Sequence, residues 1–63
     1  MMFLKAITLD GNTEYFNPDN ILSIKPDGGA VKILLGAGLY WKVKRDSIEF
    51  VHHDNMLFDI LRG

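Results

Sequence analysis

Four turn signals crowd the first 38 residues of this chain: Asp10-Gly11-Asn12, Asn17-Pro18-Asp19-Asn20, Pro26-Asp27-Gly28-Gly29 and Gly36-Ala37-Gly38. Each has its own mechanism. Glycine reaches positive φ without steric cost, proline pre-sets the second position of a turn, and Asp or Asn side chains bond their own backbone. The gaps between these signals are too short for helices of ordinary length, about 11 residues. They fit short strands.

The residues in the gaps agree. Runs at 3–9, 13–16, 21–25, 30–35 and 39–44 alternate or read as buried strands. In the fourth run, Val31, Ile33 and Leu35 share one face and Lys32 and Leu34 the other. In the fifth, Leu39, Trp41 and Val43 are expected to point inward, with Tyr40, Lys42 and Lys44 outward. The expected fold is a single, mainly β domain (α+β) over residues 1–63. It is a small antiparallel five-stranded meander, or an SH3-like half-open barrel, with a C-terminal helix.

The tail changes character. Asp46-Ser47-Ile48-Glu49 fits a capping box. The reading placed first is one helix, broken or continuous, starting at Asp46, with Ile48, Val51, Asn55 and Phe58 on one face and Gly63 as its stop. The competing reading is a sixth strand at 48–52 followed by a helix at 54–62, because Ile48, Phe50 and Val51 are good strand residues.

A chain this short buries only about 60% of its unfolded surface. It has no cysteine, so neither a disulfide nor a thiolate zinc site can staple it. Stability must come from an apolar core, for which 48% hydrophobic residues suffice, or from association. Residues 33–41 form the longest uncharged, mainly apolar run, well short of the roughly 20 residues of a membrane helix. No basic segment precedes the apolar N-terminus, so a signal peptide is not expected. The expectation is a cytoplasmic protein.

Charge is unevenly placed. Residues 1–24 carry Lys5 against Asp10, Glu14 and Asp19, a net −2. Residues 25–45 carry Lys25, Lys32, Lys42, Lys44 and Arg45 against Asp27, a net +4. Residues 46–63 carry Arg62 against Asp46, Glu49, Asp54 and Asp59, a net −3. If the fifth strand turns outward as above, Lys32, Tyr40, Lys42, Lys44 and Arg45 form a basic–aromatic face. Such a face suits an acidic protein surface or the phosphates and bases of a nucleic acid. An ordinary solvated sheet face is the plain reading of the same residues.

"VHHDN" at 51–55 raises the question of a metal or catalytic site. Adjacent histidines, His52 and His53, lie about 100° apart on a helix and on opposite faces of a strand. They cannot both address one ion through regular backbone. The partner position of an i, i+4 zinc pair is Met56 or Leu57. The hydroxyls Thr8, Thr13, Ser23 and Ser47 lie in no nucleophile-elbow context. Gly36-Ala37-Gly38 does not complete a dinucleotide fingerprint. The expectation is therefore no enzyme, no cofactor and no small-molecule substrate, with a metal site at the histidine pair kept as an outside alternative. The apolar tail, with Met56, Leu57, Phe58, Ile60 and Leu61, is expected to close the core or form an oligomer face. Histidines at such a face would make self-association pH-dependent.

Leu9-Asp10-Gly11, Phe16-Asn17, Ile21 and Ile24, Pro26-Asp27, and then Tyr40, Val43 and Ser47 form a recognisable series. Across residues 7–51 it resembles the small FlbD/SwrD-type proteins associated with bacterial flagella and swarming. The resemblance implies an accessory, non-enzymatic role and carries over no catalytic residue. Gly28 stands where that pattern has threonine, and the tail is more apolar. Residues 21–47 are similar to the β-rich half of LytTR-type DNA-binding domains, which implies a DNA contact by the fifth run. A phage-encoded modulator of a host protein is a further expectation. The leading functional expectation is a protein-binding accessory module, and the alternative is a small nucleic-acid-binding domain.

Overall fold

The structure is a computed structural model that describes residues 1–36 and 38–63. Six strands and a helix follow in order: β1 Met2–Ile7, β2 Thr13–Phe16, β3 Ser23–Asp27, β4 Ala30–Gly36, β5 Leu39–Lys44, β6 Glu49–His52 and α1 His53–Arg62. The strands form two three-stranded antiparallel sheets, ordered β2-β1-β6 and β3-β4-β5. An isolated bridge between Thr8 and Val43 ties them, and Leu9 donates to the Lys42 carbonyl beside it at 3.3 Å. Among the described residues the sheets do not close into a barrel.

The turn chemistry acts much as anticipated. At the first turn Gly11 takes φ +93, and the Thr8 hydroxyl bonds Asp10 while accepting the Asn12 amide at 3.0 Å. Asn17 caps a short 3₁₀ turn at Pro18–Asn20 by accepting the Asp19 amide at 3.0 Å. The third turn is tighter than its sequence suggests. Asp27 pairs with Ala30, which leaves Gly28 and Gly29 as a two-residue loop and draws Pro26 into β3. Proline is tolerated there because β3 is an edge strand and needs no outward amide. Gly36 and Gly38 take φ +103 and +77; Ala37 between them lies outside the described residues.

Leu4, Ala6 and Phe16 of the first sheet pack with Val31, Ile33 and Val43 of the second. Ile21, Leu35 and Ile48 close the margins of this cluster. Ile33 and Val43 are fully buried. The rest of the inward set in β5 is corrected: Trp41 is 39% exposed and Leu39 67%. Trp41 meets Phe16 edge-on at 6.0 Å between ring centroids, at the margin of the core.

The continuous helix from Asp46 is also corrected, in favour of the sixth strand. Asp46 sits in a 3₁₀ turn, Arg45–Ser47, and after Ile48 the four residues Glu49–His52 pair with β1. The reason lies outside the segment. β1 has a second edge whose amides and carbonyls need partners, and Glu49–His52 supplies them. Ser47 caps no helix. Its hydroxyl accepts the Ile7 amide at 2.9 Å and donates to the Lys44 carbonyl at 2.7 Å, continuing the ladder where the strand ends. The helix begins at His53 and ends at Arg62, capped by Gly63, whose amide reaches the Asp59 carbonyl at 3.1 Å.

Candidate functional site

The register of the second sheet decides which side chains meet. Paired residues in an antiparallel ladder share a face. One row crosses the sheet as Ser23, Leu34 and Tyr40, the next as Lys25, Lys32 and Lys42, the third as Asp27, Ala30 and Lys44. Four lysines and a tyrosine therefore stand on the face opposite Ile33 and Val43. Lys32, Tyr40, Lys42 and Lys44 come together as the sequence reading required. Arg45 follows in the 3₁₀ turn, exposed, with its amide 3.4 Å from the Gly29 carbonyl at the end of the hairpin.

Like charges directly across a ladder repel, so a row of three lysines needs relief. It is found on the diagonals. Lys42 Nζ lies 3.1 Å from Asp27 Oδ2. Lys32 Nζ stands 4.2 Å from the centroid of the Tyr40 ring, a cation–π contact. Among the described residues, no carboxylate comes within 4 Å of Lys25 or Lys44. The face expected from the sequence does not include Lys25. Ile24-Lys25 alternates, but only the β3–β4 register shows that Lys25 shares the row of Lys32.

The helix carries a second surface. Met56, expected on an oligomer face, is turned into the protein at 6% exposure and docks α1 onto the first sheet. Leu57, Phe58 and Leu61 remain outside, at 41%, 65% and 82%, and line a shallow apolar groove with Asp54.

The histidines separate as their adjacency demands. His52 ends β6 opposite Met2, whereas His53 opens α1 with its ring 5.7 Å from that of Phe3 and Nδ1 3.6 Å from Asp54 Oδ1. No group of three or more His, Cys, Asp or Glu side chains placed to hold a metal ion occurs among the described residues. No helix among them is long and apolar enough to cross a membrane. Two of the four hydroxyls considered for catalysis, Thr8 and Ser47, are committed to backbone partners.

No protein-family model, curated protein or solved structure matches this chain.

Proposed function

We propose that this chain is a non-enzymatic protein-binding module. It docks an acidic segment of a partner protein on the outer face of the second sheet. The row Lys25–Lys32–Lys42 with Tyr40 beside it carries the reading. Three strands hold these groups at fixed spacing, so the cations are pre-oriented before a partner arrives. Leu34 and Tyr40 in the adjoining row add an apolar patch, and Tyr40 is 51% exposed. A positive, partly aromatic surface of this kind steers an acidic partner and anchors it through the ring. The commitment of Thr8 and Ser47 to the backbone supports a non-catalytic role.

The resemblance to FlbD/SwrD-type proteins supports a role as a bacterial motility accessory acting in the cytoplasm, with a phage-encoded modulator of a host protein as the variant setting. A half-open SH3-like arrangement is part of the proposal, supported by the Thr8–Val43 bridge between the sheets. The decisive experiment is capture of partners from the native host with the wild-type chain and with Lys32→Glu/Lys42→Glu. An acidic protein retained only by the wild type supports the reading. Equal capture by both chains sinks it.

The second reading, a nucleic-acid surface, is favoured by the same lysine row. Its test is retention on DNA across a salt gradient, since phosphate contacts release counterions. The contact of Lys32 with the Tyr40 ring weighs against it, because a stacking base would have to displace that ammonium.

A further inference from the structure

β6 ends the first sheet, so among the described residues one of its two backbone edges has no partner strand. The ladder on its other side shows which groups that edge carries. His53 donates its amide to the Met1 carbonyl at 2.9 Å, and the register places Val51 opposite Phe3 and Glu49 opposite Lys5. Hydrogen-bonded pairs recur at every second position of an antiparallel ladder. The bonded pairs are therefore Met1–His53, Phe3–Val51 and Lys5–Glu49. The amides and carbonyls of Phe50 and His52 point away from β1. Neighbouring contacts keep this phase: the Ile7 amide reaches Ser47 on the β6 side, and the Thr8 amide reaches Asn12 on the β2 side at 2.8 Å.

Open edges are commonly guarded by lysine or proline. β3 carries Lys25 and Pro26; β6, reading Glu49-Phe50-Val51-His52, carries neither. Apolar side chains flank it instead. Phe50, on the face of Leu4, is 63% exposed. On the other face, Phe58 is 65% exposed and lines a shallow depression with Val51 and Asn55. At the opposite end of the sheet, the phenylalanine of β2, Phe16, is buried.

We propose that β6 pairs antiparallel with β6 of a second copy about a two-fold axis at Val51, merging two three-stranded sheets into one of six. Paired residues share a face, so the axis must pass through a residue position. With the axis at Val51, Phe50 lies opposite His52 of the second copy, and both carry outward backbone groups. The two symmetric pairs make four hydrogen bonds. Glu49 then faces His53 of the second copy, a carboxylate against an imidazole on each side of the axis. An axis at Phe50 would set Glu49 against valine, so the match of a carboxylate acceptor with an imidazole N–H donor selects Val51.

The area is also sufficient to matter. At roughly 200 Å² per phenylalanine, the exposed parts of Phe50 and Phe58 offer roughly 250 Å² per copy. That is about a third of the roughly 800 Å² each partner commits in a standard interface. Met2, 38% exposed beside His52, and the strand backbones add to it. A foreign extended peptide could bond the edge, but a second β6 also brings the matching phenylalanines and the Glu49–His53 pairing. This surface is separate from the lysine row, so the two readings fail independently.

Sedimentation across a dilution series tests it, with circular dichroism as the control for folding. His52 has φ −68 and ψ 145 and follows an extended residue, a conformation proline adopts without strain. His52→Pro thus removes an outward amide from each copy and leaves the ladder to β1 intact. Dimer affinity should fall roughly tenfold or more, from two interchain hydrogen bonds lost. His52→Ala, which keeps the amide, should still dimerise, and Phe50→Lys should be monomeric. The chain has no cysteine, so Val51→Cys adds a single thiol. In this register the two thiols lie on Cα atoms about 4.5 Å apart, within disulfide reach. Oxidation should link Val51→Cys and not Phe50→Cys. A wild-type monomer throughout the series overturns the assignment. So does a dimer indifferent to His52→Pro and Phe50→Lys, or cross-linking through Phe50→Cys alone. Dimer loss in Leu61→Lys with His52→Pro unaffected would also overturn it, moving the interface to the helix.

Discussion

Met56→Ala should undock the C-terminal helix, because Met56 is the residue α1 buries against the first sheet. Burying a methionine side chain is worth about 1.5–3 kcal/mol by transfer, and Met→Ala replacements in cores cost about 2–5 kcal/mol. The helix lies on the outside of the sheet, where neighbours and water can refill the space. The expected loss is therefore about 2–3 kcal/mol, the low end of that range. A chain of 63 residues has a total stability of roughly 3–9 kcal/mol, so this is a large fraction. It corresponds to a fall in Tm of roughly 10–20 °C. An isolated helix of 10 residues does not persist in water. Amide exchange over residues 53–62 should therefore accelerate more than exchange in β1 or β4. Urea titration followed by circular dichroism, at dilutions where association contributes nothing, supplies the free energy. Leu57→Ala and Leu61→Ala, both at exposed positions, should stay within about 0.5 kcal/mol of wild type. If Met56→Ala is equally mild, or Leu61→Ala costs more, then the helix docks by another face and the reasoning is wrong.

Other outcomes follow from the same geometry. Ser47→Ala strands the half-buried Ile7 amide and removes a donor from the Lys44 carbonyl; urea titration should show a loss of about 1–2 kcal/mol. Gly11→Ala places a side chain at φ +93 and should cost about 1 kcal/mol. Gly29→Ala meets open space and no positive φ, and should be neutral or stabilising by about 0.5 kcal/mol; thermal melts of the pair separate backbone strain from packing. Asp27→Asn breaks an ion pair that is nearly half exposed on both sides. It should change stability by less than about 1 kcal/mol, while freeing Lys42 and lengthening retention on heparin. Unchanged retention would mean that Lys42 takes no part in the cationic face.

Much of this fold can be read from the chain because its signals are local. Gly11 and Gly28 take the positive φ their turns require, and Asn17 bonds its own turn, without help from distant residues. Alternation in residues 30–35 and 39–44 marks β4 and β5 and puts Lys32, Lys42 and Tyr40 on one side. The absence of cysteine is a property of composition alone, and the charge distribution a property of residue order alone. What tertiary structure decided is everything that depends on an edge or an overlap. Residues 48–52 are good strand formers and also fit a helical pattern, and the open edge of β1 settles the choice by offering hydrogen bonds to an extended segment. That choice moves the helix start to His53 and turns Met56 inward. Leu39 and Trp41 alternate as core residues, yet the packed cluster of the two sheets stops short of them. Register placed Lys25 in the lysine row and left the backbone groups of Phe50 and His52 on an open edge. Periodicity reports which side of a strand a residue occupies, and only pairing reports what stands beside it.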